Sequence, residues 1–213
     1  MSFLWKVAQS LEIRWWQRYL REKPVTEYLD WKKNYWRTFL ERTRVSIPDG
    51  SQVLDAGCGP AGIFIITGSN PTDAVDPLLD QYQQELQHFD KSWYPATRFF
   101  AVPLEKFFAP RKYDLIFCLN AINHVADIHK SIELLAGCLA PEGALIMSID
   151  AHKYKIIKWL FRLGKGDALH PHQYSLADYI LMTESKGMKV TESILYDDGF
   201  IFQYYVLKII KKK

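Results

Sequence analysis

A short stretch of the sequence places a carboxylate beside a glycine-rich turn. Gly57, Gly59 and Gly62 follow the spacing G-x-G-x-x-G, which occurs in proteins that bind dinucleotides. Glycine lets a chain turn tightly, and a helix that begins at such a turn offers its free N–H groups to an anion. Asp76 stands 19 residues after Gly57, where a carboxylate can accept hydrogen bonds from both hydroxyls of a ribose. These residues predict a site for an adenosine-bearing ligand.

Asp55 separates two classes of adenosine-bearing ligand. Its carboxylate stands two residues before Gly57, where it would attract a cationic amino-acid head group and repel a pyrophosphate. The glycine loop also begins more than 50 residues into the chain, behind a helical segment, and we expect no second domain for a hydride acceptor. The residues therefore favour a ligand with an amino-acid head, and an NAD(P)-dependent oxidoreductase is the alternative.

The apolar pattern predicts the elements that position these residues. Short apolar runs at 52–56, 73–76, 98–102, 113–119 and 143–149 alternate with helical stretches, one of which the glycine loop should open. Such alternation is typical of a parallel sheet covered on both faces. After a predicted helix at 175–186, strands at 189–196 and 200–209 flank the turn Asp197-Asp198-Gly199. The pattern predicts five parallel strands followed by an antiparallel pair.

The first 50 residues have a composition of their own. They hold five of the seven Trp residues, and their apolar residues recur at helical spacing before and after Pro24, which predicts two amphipathic helices. The stripe in the first helix is Leu4, Ala8, Leu11, Trp15 and Tyr19. The whole chain of 213 residues has a net charge of only +3, which argues against a nucleic-acid partner.

The cysteines and the apolar runs bear on the compartment. Three widely spaced cysteines form no disulfide framework, which favours a reducing, cytoplasmic location. No apolar run approaches the roughly 20 residues of a membrane span, and the N-terminus lacks the pattern of a signal peptide. His170-Pro171-His172 has no third ligand at metal spacing, so no metal site is expected.

Several segments together resemble the class I S-adenosylmethionine-dependent methyltransferases. The resemblance covers about residues 48–210 and is closest to the small-molecule branch, methyltransferase type 11, which includes the ubiquinone/menaquinone methyltransferases. It is carried by Leu54-Asp55-Ala56-Gly57-Cys58-Gly59, Ala74-Val75-Asp76-Pro77, Tyr113-Asp114-Leu115-Ile116-Phe117 and Asn120-Ala121-Ile122-Asn123-His124-Val125. It implies an α/β, Rossmann-like doubly wound sheet of seven strands in the order 3-2-1-4-5-7-6, with the last strand antiparallel. Residues 1–46 would form a helical lid and residues 47–213 the domain that binds S-adenosyl-L-methionine.

The resemblance also implies which residues hold the cofactor. The loop would hold the methionine moiety, Asp76 the ribose and Pro77 with Leu78 the adenine. Pro103 stands where the family has an aspartate, so this position offers no carboxylate to the adenine amine. The implied cofactor-binding residues are Asp55, Ala56, Gly57, Cys58, Gly59, Asp76, Pro77, Leu78, Leu104, Glu105 and Asn120.

The acceptor side is less defined by sequence. His124 lies at the edge that faces the transferable methyl in the family and is the candidate catalytic base, with His170 and His172 as pocket residues. The aromatic residues of the N-terminal stripe could pack on the domain, lie on a membrane surface or close the acceptor pocket. The predicted pocket residues in the stripe are Trp15, Tyr19, Tyr28 and Tyr35.

The expected function is methyl transfer to the oxygen, nitrogen or carbon of a small molecule. The alternatives are the oxidoreductase and a non-catalytic cofactor-binding protein. The expected partners are a small-molecule acceptor, with no nucleic acid and no stable membrane insertion, in a monomer or a homodimer. Deletion of residues 1–40 is expected to impair turnover more than cofactor binding.

Overall fold

Two long helices begin the fold, as the sequence predicts. In the computed structural model, which describes residues 3–152, 174–199 and 202–212, α1 spans Phe3–Leu20 and α2 spans Val25–Thr43. α2 begins after the extended Pro24 and ends at Arg44, whose φ of 52° lies in the left-handed region. The buried residues of α2 are Tyr28, Trp36, Phe39 and Thr43.

The predicted apolar stripe of α1 is wrong in part. Leu11 and Trp15 are 44% and 54% exposed, whereas Ile13 and Leu20 are buried. The stripe follows the spacings of three and four residues that mark a helix, but the buried face is set by what the helix packs against. Periodicity therefore predicts the helix correctly and its buried face poorly.

Three short parallel strands follow the helices. β1 spans Val53–Ala56, β2 spans Thr72–Val75 and β3 spans Thr97–Phe100, with β2 between the other two. Every residue of β1 and β2 is buried, which is the pattern of parallel strands covered on both faces. Helix α3, Leu79–Glu85, follows β2.

The helix expected after the glycine loop is absent. The chain instead makes two single 3₁₀ turns, Gly59–Ala61 and Ile63–Ile66. Gly62 between them is extended, with ψ of −170°, and this breaks the helical path. The prediction of a helix N-terminus at this loop is therefore wrong.

The described residues of the second half of the chain include four strands and two helices. β4 spans Tyr113–Cys118, α4 spans Ile128–Cys138 and β5 spans Leu139–His152. The last three elements are α5, Leu176–Ser185, β6, Met188–Asp198, and β7, Phe202–Lys211. Ser175 caps α5 in a capping box with Asp178, as the predicted helix boundary implies.

The strand order confirms the predicted fold. The seven strands form a sheet in the order β3-β2-β1-β4-β5-β7-β6, and β7 is antiparallel to both β5 and β6. The predicted turn at Asp197-Asp198-Gly199 begins later than expected, because Asp197 pairs with Tyr204 and Asp198 with Gln203. β6 therefore extends two residues beyond the predicted end of its strand.

The chain divides into two compact units, residues 1–107 and 108–213. The predicted boundary between residues 46 and 47 stays a prediction, since α1 and α2 lie in the same unit as β1, β2 and β3. Within the described part of the chain, no helix has the length and apolar content that a membrane crossing requires.

Candidate functional site

The glycine loop after β1 turns its N–H groups inward. Gly57 and Gly59 have φ values of 74° and 57°, which only glycine adopts without strain. The N–H groups of Gly57 and Cys58 both donate to Val75 O, at 2.7 and 3.1 Å. The N–H of Gly59 donates to Oδ2 of Asp76 at 3.0 Å. Three consecutive donors therefore have partners within the protein.

The Asp76 carboxylate lies at the end of β2 and closes the loop. Its Oδ1 accepts the N–H of Leu78 at 2.9 Å, and its Oδ2 accepts that of Gly59. The residue is 8% exposed, and burial, followed by the charge of Glu12, raises the pKa of its carboxyl to about 7. A carboxylate has about four lone-pair positions, so each oxygen can accept one more donor, such as a ribose hydroxyl. The side chain fits the predicted ribose contact.

The Asp55 carboxylate lies inside the turn that follows the glycine loop. Its Oδ2 accepts the N–H of Phe64 at 3.0 Å, and burial raises the pKa of its carboxyl to about 7. The ammonium of Lys32 on α2 attracts the Asp55 carboxylate electrostatically, and burial lowers the pKa of this lysine to about 8. A Cβ added to Gly62 would lie 2.3 Å from Asp55 Oδ2. Asp55 and Gly62 thus hold the turn together; contact of Asp55 with a cofactor stays a prediction.

Helix α1 reaches the same loop with polar and aromatic side chains. Oε1 of Glu12 accepts the hydroxyl of Tyr82 at 3.0 Å, and Tyr82 lies on α3, directly after the Asp76 turn. Burial raises the pKa of the Glu12 carboxyl. A Cβ added to Gly59 would come within 4.0 Å of Cζ2 of Trp16. α1 therefore lies beside the loop and adds the half-buried carboxylate of Glu12, whose charge acts on Asp76.

The predicted pocket aromatics form one series of ring contacts along α1 and α2. Trp15 stacks on Tyr19 at 4.9 Å, Tyr19 meets Tyr28 at 6.3 Å, and Trp31 links Tyr28 to Tyr35 at 5.9 Å on each side. Tyr28 is buried, whereas Trp15 is mostly exposed. The series therefore includes both a core residue and residues open to solvent.

The remaining predicted contacts of the first unit lie at the ends of β1, β2 and β3. Ala56, Cys58, Leu78 and Leu104 are buried, and Pro77, Pro103 and Glu105 are half-buried. Leu104 and Glu105 lie in a 3₁₀ turn, Leu104–Lys106, that follows β3. Burial, then the charges of Asp55 and Asp76, raises the pKa of the Cys58 thiol, which disfavours a nucleophilic thiolate.

Asn120 and His124 belong to the second unit. Asn120 follows β4 with φ of 54°, an uncommon value for a residue other than glycine, and its N–H donates to Oγ of Ser148 at 2.7 Å. His124 is exposed and ends a 3₁₀ turn, Ile122–His124. The neighbouring Asn123 is buried and its Oδ1 accepts the hydroxyl of Tyr179 at 2.6 Å. Contact of Asn120 with a cofactor stays a prediction.

Two predicted pocket residues, His170 and His172, lie outside the described residues. Within the described ranges, no group of three or more His, Cys, Asp or Glu side chains could hold a metal ion. The site that can be described is therefore built from carboxylates, backbone and aromatic rings.

The sequence did not predict three residues that contribute to the site, which are Glu12, Tyr82 and Lys32. Glu12 and Tyr82 stand 70 residues apart in the chain, so no local pattern joins them. One signal was present, since Glu12 is an acidic residue among the apolar residues of the first helix.

The geometry of the loop distinguishes between two kinds of ligand. A pyrophosphate site needs free N–H groups, and here those of Gly57, Cys58 and Gly59 are occupied by Val75 and Asp76. Asp55 and Asp76 add negative charge that a phosphate would oppose. The arrangement suits an uncharged ribose and a cationic group.

Comparisons with known proteins bear on the family of this chain. Residues 28–192 match the family model described as a methyltransferase domain. The chain is 30% identical over 100 residues to the ubiquinone biosynthesis O-methyltransferase of Rickettsia prowazekii, over 46% of this chain and 39% of that protein. It is also 30% identical over 122 residues to the tRNA U34 carboxymethyltransferase of Methylococcus capsulatus, over 53% of this chain and 37% of that protein. The chain spans about half the length of the curated relatives it matches.

A solved structure shows the same fold. The 1,6-didemethyltoxoflavin-N1-methyltransferase of Burkholderia thailandensis, with 1,6-didemethyltoxoflavin and S-adenosylhomocysteine bound, is similar with a TM-score of 0.61 at 15% identity. The match covers 100% of this chain and 92% of that chain, and at this identity it shows the fold alone. The family match confirms the resemblance of the sequence: this chain belongs to the methyltransferase domain family.

Proposed function

We propose that this chain binds S-adenosylmethionine and transfers its methyl group to a small molecule. The observation that carries the proposal is the glycine loop, whose consecutive N–H groups are bound to Val75 and Asp76. Such a loop can receive a nucleoside without phosphates, held through the remaining lone pairs of Asp76. Membership of the methyltransferase domain family supports the same cofactor.

The side chains of this protein would bind, orient and shield the reactants. When bound, S-adenosylmethionine supplies a methyl group on a positively charged sulfur that needs no further activation. The protein then has to align the acceptor and exclude water, which the aromatic residues of α1 and α2 would do as a lid over the acceptor. Trp15, Tyr19, Tyr28 and Tyr35 are the proposed lid residues. His124 is the proposed base for an acceptor that loses a proton.

Calorimetry with S-adenosylhomocysteine and NADH in parallel tests the cofactor. We expect S-adenosylhomocysteine to bind and NADH to give no heat, because the N–H groups of Gly57, Cys58 and Gly59 already have partners within the protein. Tight binding of NADH alone would contradict the proposal. The Asp76→Ala variant should lose about 1–3 kcal/mol of binding free energy, the usual scale for hydrogen bonds to a charged group. Asp80→Ala, which alters an exposed carboxylate of α3, is the control.

Turnover tests the reaction itself. We expect the protein to form S-adenosylhomocysteine from S-adenosylmethionine in the presence of one class of small hydroxyl, amine or carbon acceptor. Cofactor binding without turnover on a broad panel would favour a non-catalytic protein. Transfer RNA belongs in that panel, since one relative is a tRNA-modifying enzyme. Methylation of the RNA alone would contradict the small-molecule proposal.

A further inference from the structure

Helix α1 is joined to α3 at two points beside the loop. Oε1 of Glu12 accepts the hydroxyl of Tyr82 at 3.0 Å, and Nε2 of Gln17 donates to Oε2 of Glu85 at 2.8 Å. The two contacts differ in environment, because the Gln17–Glu85 pair is exposed whereas Tyr82 is fully buried. The first contact therefore holds the half-buried carboxylate of Glu12 against the buried Tyr82, on the helix that follows β2.

The carboxyl groups of Glu12 and Asp76 interact electrostatically. The charge of Glu12 is the largest single charge effect on the carboxyl of Asp76. When two carboxylates lie close together and away from water, ionising both costs free energy. The pair therefore needs either a shared proton or hydrogen-bond donors from other groups. Tyr82 and Trp16 each supply a side-chain donor to Glu12, and the backbone supplies two donors to Asp76. Each carboxylate keeps lone-pair positions without a donor among these contacts.

We propose that Glu12 is a second ribose-binding carboxylate, so that one hydroxyl of the cofactor ribose donates to Asp76 and the other to Glu12. This inference rests on the proposed function, because it concerns the ribose of S-adenosylmethionine. A vicinal diol carries two O–H donors, so it can donate one hydrogen bond to each of the two carboxylates. The nucleoside site is then complete only when α1 lies on the loop, with Trp16 beside Gly59.

The test compares S-adenosylhomocysteine with its 2′-deoxy and 3′-deoxy analogues by calorimetry. Glu12→Gln keeps the length of the side chain and an oxygen for the Tyr82 hydroxyl, but it removes the charge that strengthens the ribose contact. We expect this variant to bind S-adenosylhomocysteine about tenfold more weakly than the wild type. With the analogue that lacks the hydroxyl facing Glu12, we expect wild type and variant to bind equally.

Two further variants separate ribose binding from the anchoring of α1. Gln17→Ala removes the other contact to α3 and should change affinity less than twofold. Tyr82→Phe removes the hydroxyl that orients Glu12 and should weaken binding by severalfold, mainly for ligands with the hydroxyl that faces Glu12. The unfolding midpoint of each variant is compared with that of the wild type first, so that binding is measured on folded protein.

The outcomes are distinguishable. An equal loss on S-adenosylhomocysteine and on both analogues in Glu12→Gln would overturn the inference and leave Glu12 as a structural residue. An unchanged affinity of Glu12→Gln for S-adenosylhomocysteine would overturn it as well. Failure of the wild type to bind S-adenosylhomocysteine would instead overturn the proposed function, whatever Glu12 does.

Discussion

Asp55 is a carboxylate that the fold keeps away from water. Its pKa is raised from the ordinary 3.8 to about 7, mainly by burial, in spite of the N–H of Phe64 and the charge of Lys32. A carboxyl whose pKa is higher in the folded protein stabilises the fold while it is protonated. Its contribution is complete below about pH 4 and is lost as the pH rises through about 7.

The cofactor-free protein should therefore become less stable from pH 5 to pH 8. Urea unfolding at the two pH values should show a decrease on the order of 1–3 kcal/mol in the free energy of unfolding. Asp55→Asn should reduce this decrease, because the amide does not titrate and its oxygen can still accept the N–H of Phe64. Asp76, whose carboxyl pKa is raised in the same direction, should maintain part of the slope. A slope unchanged in Asp55→Asn would show that Asp55 ionises normally.

Gly62 is required by close packing and not by its backbone conformation. A Cβ there would lie 2.3 Å from Asp55 Oδ2 and 2.5 Å from Cys58 O. Because Cys58 O is backbone, Gly62→Ala should cost about 1–3 kcal/mol of stability, as overpacking usually does. Gly137→Ala is the matched control, since Gly137 lies in α4 with open space around its Cα. This control should gain about 0.5–1 kcal/mol in the same chemical-unfolding experiment, and equal stability of the two variants would contradict the packing argument.

At this scale the sequence predicted residue types better than their partners. Gly57, Gly59 and Asp76 stand where the motif places them, because the motif encodes turn geometry that acts over a few residues. The link from Glu12 to Tyr82 joins residues 70 apart, and only the packing of α1 brings them together. Local spacing contains no information on such a contact.

At the scale of elements, α1 and α2 differ in how far they belong to the core. α2 buries Tyr28, Trp36 and Phe39, and Nε1 of Trp36 donates to Ala61 O at 2.9 Å. Most described residues of α1 are at least partly exposed, although Ile13 and Leu20 are buried. α2 is therefore a structural part of its unit, whereas α1 covers it.

This difference changes the design of the N-terminal deletion. Removal of residues 1–22 should leave a protein that unfolds cooperatively at a lower midpoint, because α2 and its hydrogen bond to Ala61 remain. Removal of residues 1–40 should abolish the cooperative transition, because it takes away the buried Trp36 and Phe39. Thermal unfolding followed by circular dichroism measures both. Equal midpoints would place α2 outside the core. If only the shorter deletion unfolds cooperatively, as expected, removal of residues 1–22 is the proper test of how a lid affects turnover.

The elements also show where pattern reading ends. Strand positions were predicted within a few residues because apolar runs mark buried strands directly. The helix expected after the glycine loop was wrong, since the extended Gly62 divides the segment into two 3₁₀ turns. The strand order came from the family resemblance, because an apolar run does not state which strand it pairs with.

At the scale of the whole molecule, β7 is an interior strand. It pairs with β5 over nine residue pairs from Ala144↔Ile210 to His152↔Phe202, and with β6 on its other side. Val206, Leu207 and Ile209 are fully buried. Removal of β7 would leave β5 and β6 each with an unpaired edge.

A chain truncated after residue 199 should therefore aggregate instead of folding into a smaller domain. Size-exclusion chromatography of the truncated and full chains measures this, and Ile210→Ser, at a partly exposed position of β7, is the soluble control. A monomeric truncated chain with a cooperative transition would contradict the argument.

The interior place of β7 also bears on how the protein is made. A ribosome releases β5 and then β6 before β7. Until β7 has been synthesised, β5 and β6 lack the strand that lies between them in the sheet. Nascent chains in this interval expose the edges that chaperones recognise and that join chains to one another. The rate of translation through residues 199–211 should thus influence the yield of folded protein.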